Sequence, residues 1–166
     1  MRKSILALGT GVVLLGSASL ASAKSDGSFL TDAIQGNLGE IQIGQLAQTN
    51  GNSDQVRSFG QMLVQDHTAA NDKALQLAKS HNLSAPTEPK PEAKKTYDKL
   101  SKLTGQAFDT EFAKAMVEDH KKDLKEFEQQ AKGSDDIANF AREAVPTLKK
   151  HLETAQSLTS GKSAER

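Results

Sequence analysis

Between Phe29 and Ala155 apolar residues recur every three or four positions, and no stretch alternates apolar with polar as a half-buried strand does. Four long helices are predicted. The first runs from about Phe29 to Asn50 and ends at Asn50-Gly51-Asn52, a sequence suited to the left-handed residue that closes many helices. Ser53 and Asp54 open the second as N-cap and acidic first turn, and Val56, Phe59, Leu63, Ala70, Ala74 and Leu77 form its stripe to about Ser80. From His81 to Gly105 the period breaks around Pro86, Pro89 and Pro91, leaving an extended connector and one short helix carrying Tyr97, Leu100 and Leu103. The third long helix holds Phe108, Phe112, Ala115, Met116, Leu124 and Phe127 and stops at Gly133. Ser134 and Asp135 start the fourth, with Ile137, Phe140, Ala141, Ala144, Leu148, Leu152 and Ala155 on one face and Pro146 expected to bend it.

Two tight turns and one long connection between helices of about 30 to 40 Å predict an all-α four-helix bundle of two hairpins, spanning 29–158 with its connector at 81–105. A connector of that length lets the second and third long helices run parallel. Residues 24–28 and 159–166 read as short tails.

The first residues do not belong to this pattern. Arg2 and Lys3, the apolar stretch Ile5 to Leu15, and Ala21-Ser22-Ala23 have the three-part build of a secretory signal peptide, cleaved after Ala23. The apolar run is shorter than the ~20 residues of a spanning helix. A periplasmic or secreted product is expected, with no stable membrane insertion after cleavage.

Composition narrows the chemistry. The chain has 166 residues, 36% hydrophobic and 25% charged, the balance of one soluble domain. Its 21 basic and 21 acidic side chains cancel, so the positive field that nucleic-acid binding needs is lacking. Without cysteine there are no disulfides, thiolate sites or iron–sulfur clusters. His, Asp and Glu remain as ligands.

On a helical wheel His67 falls mid-stripe among Gly60, Leu63, Ala70 and Ala74, and His151 shares a face with Ala144, Leu148 and Ala155. Both point inward. Asp119 and His120 flank the apolar face of the third long helix. In the first, Ala33, Gly36, Gly44 and Ala47 make a small-residue side that brings Glu40 inward. Phe59, Val64, Asp66 and His67 recur as Phe112, Val117, Asp119 and His120 at a constant offset of 53. The constellation is thus Glu40, Asp66, His67, Asp119, His120 and His151. Left uncompensated, such groups are costly to bury. They either hydrogen-bond one another across the bundle, the reading favoured by the sequence, or converge on a divalent metal: zinc, iron, manganese or copper.

Motifs in all four long helices, Glu40-Ile41 with Gly44, Val56 to Phe59 with Asp66-His67, Phe108-Asp109 with Asp119-His120, and Val145-Pro146 with Leu148, His151 and Ala155, resemble the exported bacterial domain-of-unknown-function family 4142. The resemblance covers about Ser28 to Leu158 and implies a ferritin-like bundle and an exported location, with no reaction attached. Di-iron ferritin-like sites use Glu-x-x-His, but Val64, Val117 and Leu148 stand three residues before His67, His120 and His151. Ser160-Gly161-Lys162-Ser163 lacks the first glycine of a phosphate-binding loop, and no nucleophile elbow exists. The functional expectation is a non-catalytic exported envelope or stress-related bundle with metal binding as an elaboration. The alternative is a redox or hydrolytic enzyme using the same metal.

Overall fold

The computed structural model describes residues 25–160, so the signal-peptide expectation over 1–23 and the end of the C-terminal tail lie outside the described residues. Five helices follow in order: α1 (Asp26–Asn50), α2 (Asp54–Ser80), α3 (Pro91–Leu100), α4 (Gly105–Gln130) and α5 (Asp136–Thr159). α1 and α2 form one antiparallel hairpin, α4 and α5 the other, and α3 lies in the crossover against α1 and α4. This is the all-α, ferritin-like arrangement with a single long crossover. None of the described helices is long and apolar enough to cross a membrane.

The caps explain the boundaries. Ser25, Ser53 and Asp135 each accept a hydrogen bond from a backbone N–H three residues on, opening α1, α2 and α5. α1 therefore begins at Asp26, inside the stretch expected as a tail, because Ser25 caps it. α4 starts at Gly105, whose φ of +61° suits glycine, and ends at Gln130, three residues before Gly133. α2 closes on Asn82 at φ +55°, with Leu83 N–H donating to the Ala78 carbonyl at 2.8 Å and Asn82 N–H to that of Lys79 at 3.1 Å, a Schellman ending.

The expected left-handed residue at Gly51 is absent: its φ is −59°. Glycine is needed there for room, since a Cβ would stand 2.5 Å from the Ala47 carbonyl oxygen and 2.8 Å from Val56 Cγ1. The turn is locked from the other hairpin. Asp109 of α4 is buried and accepts from the backbone N–H groups of Asn52 at 2.7 Å and Ser53 at 2.9 Å. This contact puts the start of α4 at the start of α2, so the two run parallel on opposite corners of the bundle.

Two apolar clusters fill the interior. One, around Val56, Phe59, Leu100, Phe108 and Phe112, sits at the Gly51 end; the other, around Phe29, Leu30, Ile34, Ile137 and Phe140, sits at the far end. Each fully buried phenylalanine contributes roughly 1.5 to 3 kcal/mol to folding. Between the clusters every long helix places a polar residue inside: Asn37 and Glu40 from α1, His67 and Asn71 from α2, His120 from α4 and His151 from α5.

Candidate metal centre

The parallel course of α2 and α4 makes the 53-residue repeat a spatial one. Phe59 and Phe112 meet edge to face at 5.8 Å between ring centroids, and two turns on His67 and His120 meet in the same way at 5.8 Å. His151 completes the layer from α5, its centroid 5.3 Å from that of His67 and 5.2 Å from that of His120. Phe59 packs on the edge of His151 at 6.0 Å. The three rings form a nearly equilateral triangle, and one nitrogen from each lies within 4.8 Å of the other two.

Each ring is held from outside by its remaining nitrogen. His67 Nδ1–H donates to Asn37 Oδ1 at 2.9 Å, His120 Nδ1–H donates to the Met116 carbonyl at 3.0 Å, and His151 Nε2–H donates to Asp66 Oδ2 at 2.8 Å. A neutral imidazole has one N–H. The inner nitrogens, His67 Nε2, His120 Nε2 and His151 Nδ1, are then lone pairs. His67 Nε2 is buried without a hydrogen-bond partner, and His120 Nε2 faces His151 Nδ1 at 3.2 Å with no proton left to share.

Electrostatics keep the rings neutral. Burial pushes the His67 pKa well below the usual histidine range, and the neighbouring rings push it the same way. His120 is pulled down to about 4 by burial and then by His151, against the opposing pull of the Met116 carbonyl and Asp119. His151 is lowered by burial in spite of its bond to Asp66. Three neutral imidazoles, each fixed in tautomer by an outer acceptor, could hold a metal ion as a His₃ donor set, with carboxylate, amide and carbonyl groups in support. A tetrahedral zinc–nitrogen shell sets its ligands about 3.3 Å apart. The 3.2 Å edge between His120 and His151 has that length.

The expected carboxylates occupy other places. Asp66 stands behind His151, as orienting partner, and is partly exposed. Glu40 and Asp119 lie outside the three-ring group and act on each other instead. Glu40 is buried, neither oxygen makes a hydrogen bond of ordinary geometry, and burial, followed by the Asp119 charge, raises its pKa well above the usual carboxylate range. Asp123, one turn after Asp119, is raised to about 7 by burial and then by Asp119. The two Asp-His repeats thus part company: Asp66 bonds to His151 on α5, whereas Asp119 stands near enough to Glu40 on α1 to raise its pKa. His81, expected as a surface cap, is exposed at the end of α2 and pairs with Asp136 at 3.0 Å.

Sequence reasoning missed Asn37, Asn71 and the Met116 carbonyl. Counting back from the Gly51 turn sets Gly36 opposite His67, so the adjacent polar Asn37 was within reach of the argument. A backbone carbonyl carries no such signal. Gly36, expected to permit close helix approach, has nothing within 4 Å of a would-be Cβ. Gly44 and Gly60 do that work for α1 and α2: a Cβ on either would come within 2.8 Å of the other's carbonyl oxygen.

No match is found among curated proteins. Among solved structures, a crystal structure of a DUF305 fragment from Deinococcus radiodurans has a similar fold, with a TM-score of 0.74 at 13% identity, covering 84% of this chain and 98% of that one. A family model described as a domain of unknown function, DUF4142, matches residues 15–158. With nearly all of the bundle inside that match, the chain belongs to the DUF4142 family.

Proposed function

We propose that this chain is an exported metal-binding bundle that holds one borderline divalent cation on His67, His120 and His151. The observation that carries this reading is the set of three inward lone pairs, each on a ring whose other nitrogen already donates to Asn37, Met116 or Asp66. Internal hydrogen bonding alone leaves His67 Nε2 unpaired and two acceptors facing each other at 3.2 Å. A cation relieves both. An all-nitrogen set of neutral imidazoles suits zinc or copper(II) better than manganese, which prefers oxygen ligands. Export is supported by the N-terminal sequence pattern, Arg2-Lys3 to Ala23. The role in this reading is holding a metal in the cell envelope, for storage, sensing or scavenging, rather than turnover.

The test is metal content after purification without an affinity tag, together with the melting temperature on adding zinc, copper, iron or manganese. A ligand at about 1,000 times its dissociation constant stabilises by about 4 kcal/mol, which moves a melting temperature by many degrees. His67→Ala and His120→Ala abolish the shift. A wild-type protein that neither carries nor responds to any of these metals, or variants that respond equally, overturn the reading.

A further inference from the structure

A cleft of about 210 Å³ lies between α3 and α4 and touches α1, with Glu92 and Thr96 of α3, Glu118, Asp119 and Lys122 of α4, and Ile43 of α1 on its walls. A smaller cavity of about 20 Å³ lies further along the same seam, walled by Gly36 and Asn37 of α1, by Asp123 of α4 and by Lys90. Glu40 comes between Asn37 and Ile43 on α1, and the turn from Asp119 to Asp123 spans the two cavities on α4. The three carboxyl groups therefore share one stretch of the α1–α4 seam. Four residues apart, Asp119 and Asp123 stand on one face of their helix.

Glu40 is 2% exposed, and neither of its oxygens has a hydrogen-bond partner. The charges acting on it, those of Asp119 and Asp123, are negative. Lys90 and Lys122 offset Asp123, and Lys90 also pairs with Asp32 at 3.7 Å. A buried carboxylate among like charges is costly unless a proton or a cation joins it. We infer that a hard divalent cation, of the calcium and magnesium class, binds behind this cleft between Glu40 and Asp119, with water from the cleft completing its shell. One or two carboxylates with water are an ordinary ligand set for such a cation, and oxygen donors alone favour it over zinc or copper. Glu92 and Glu118 on the cleft wall add to the negative potential that draws a cation in. This site takes no ligand from His67, His120 or His151, so it goes beyond the metal-binding reading above and stands independently of it.

Full-length protein freed of metal is titrated calorimetrically with calcium chloride and, separately, with magnesium chloride at neutral pH and physiological salt, and its melting temperature is followed in parallel. One equivalent of at least one of the two cations binds and raises the melting temperature, and His67→Gln responds as wild type does. Glu40→Gln keeps the shape of the side chain and loses its charge, and it weakens binding about tenfold or more, as does Asp119→Asn. Glu118→Gln, an exposed carboxylate on the cleft wall, leaves the stoichiometry unchanged and the affinity close to that of wild type. No binding of either cation at millimolar concentration leaves a proton as the partner of Glu40 and overturns the site. Undiminished binding in Glu40→Gln and Asp119→Asn, an equal loss in Glu118→Gln, or loss in His67→Gln overturns it as well. Zinc or copper binding by the histidine layer is decided by its own titration, whichever of these results is found.

Discussion

His120 Nε2 lies 3.2 Å from His151 Nδ1 in a layer sealed by apolar clusters on both sides, and both nitrogens are acceptors in the neutral state. Two lone pairs at that separation repel unless a cation lies between them. The Met116 carbonyl occupies the Nδ1–H of His120 and Asp66 the Nε2–H of His151, so neither ring can turn a proton inward without abandoning an outer bond.

Asp66 sets which nitrogen of His151 faces the other two rings. Asp66→Ala removes the acceptor that holds its proton outward, and metal affinity falls about 10- to 100-fold by isothermal titration. Asp66→Asn falls less, since an amide oxygen still accepts from Nε2–H. An alanine variant that binds metal as tightly as wild type removes Asp66 from the site.

The pH dependence has two opposed parts. Glu40 has a raised folded pKa, so its contribution to stability is fully present below its unfolded value of about 4.5 and is lost as pH rises toward the folded one. Glu40→Gln stays neutral at every pH. Its stability relative to wild type therefore grows from pH 4.5 upward, reaching on the order of 1 kcal/mol or more by neutrality, a few degrees in melting temperature. His120 acts with the other sign: its pKa near 4 against about 6.5 unfolded makes the metal-free protein lose stability as pH falls from 6.5 to 4. Melting curves of metal-free wild type, Glu40→Gln and His120→Gln across pH 4 to 8 separate the two slopes.

Gly60 and Gly36 respond oppositely to the same substitution. A Cβ at Gly60 stands 2.6 Å from the Gly44 carbonyl oxygen and 2.8 Å from Ala47 Cβ, so Gly60→Ala forces α1 and α2 apart and costs about 1 to 3 kcal/mol. Gly36 lies within α1 with open space around it, and Gly36→Ala adds roughly 0.5 to 1 kcal/mol through helix propensity. Urea denaturation measures both; a stabilising Gly60→Ala contradicts the close approach of the helices.

Asp109 ties the two hairpins together without touching the histidine layer. Asp109→Ala leaves the N–H groups of Asn52 and Ser53 without their carboxylate, at a cost of about 2 to 3 kcal/mol in urea denaturation. It stands eleven residues before His120, roughly 16 Å along α4. Metal affinity of the folded variant is accordingly unchanged in titration.

The helices and the inward histidines were legible in the sequence because both are local properties. Periodicity at 3.6 residues puts His67 and His151 on apolar faces whatever the partner helices are, and Ser53 and Asp135 cap their own helices. The parallel course of α2 and α4 was allowed by connector length, and the Asp109 contact with the Gly51 turn fixes it. Other features depend on atoms from different helices meeting at a particular height and rotation. Gly51 needed its neighbours in space, Ala47 and Val56, to show that room and not a positive φ requires glycine there. Only the packed bundle decided that Asp66 turns to His151 while its repeat partner Asp119 acts on the Glu40 charge instead, and that Met116 lends a carbonyl. A wheel gives the direction in which a side chain leaves its helix; which ring nitrogen keeps the proton is settled by the acceptor standing opposite, and that acceptor belongs to the tertiary structure.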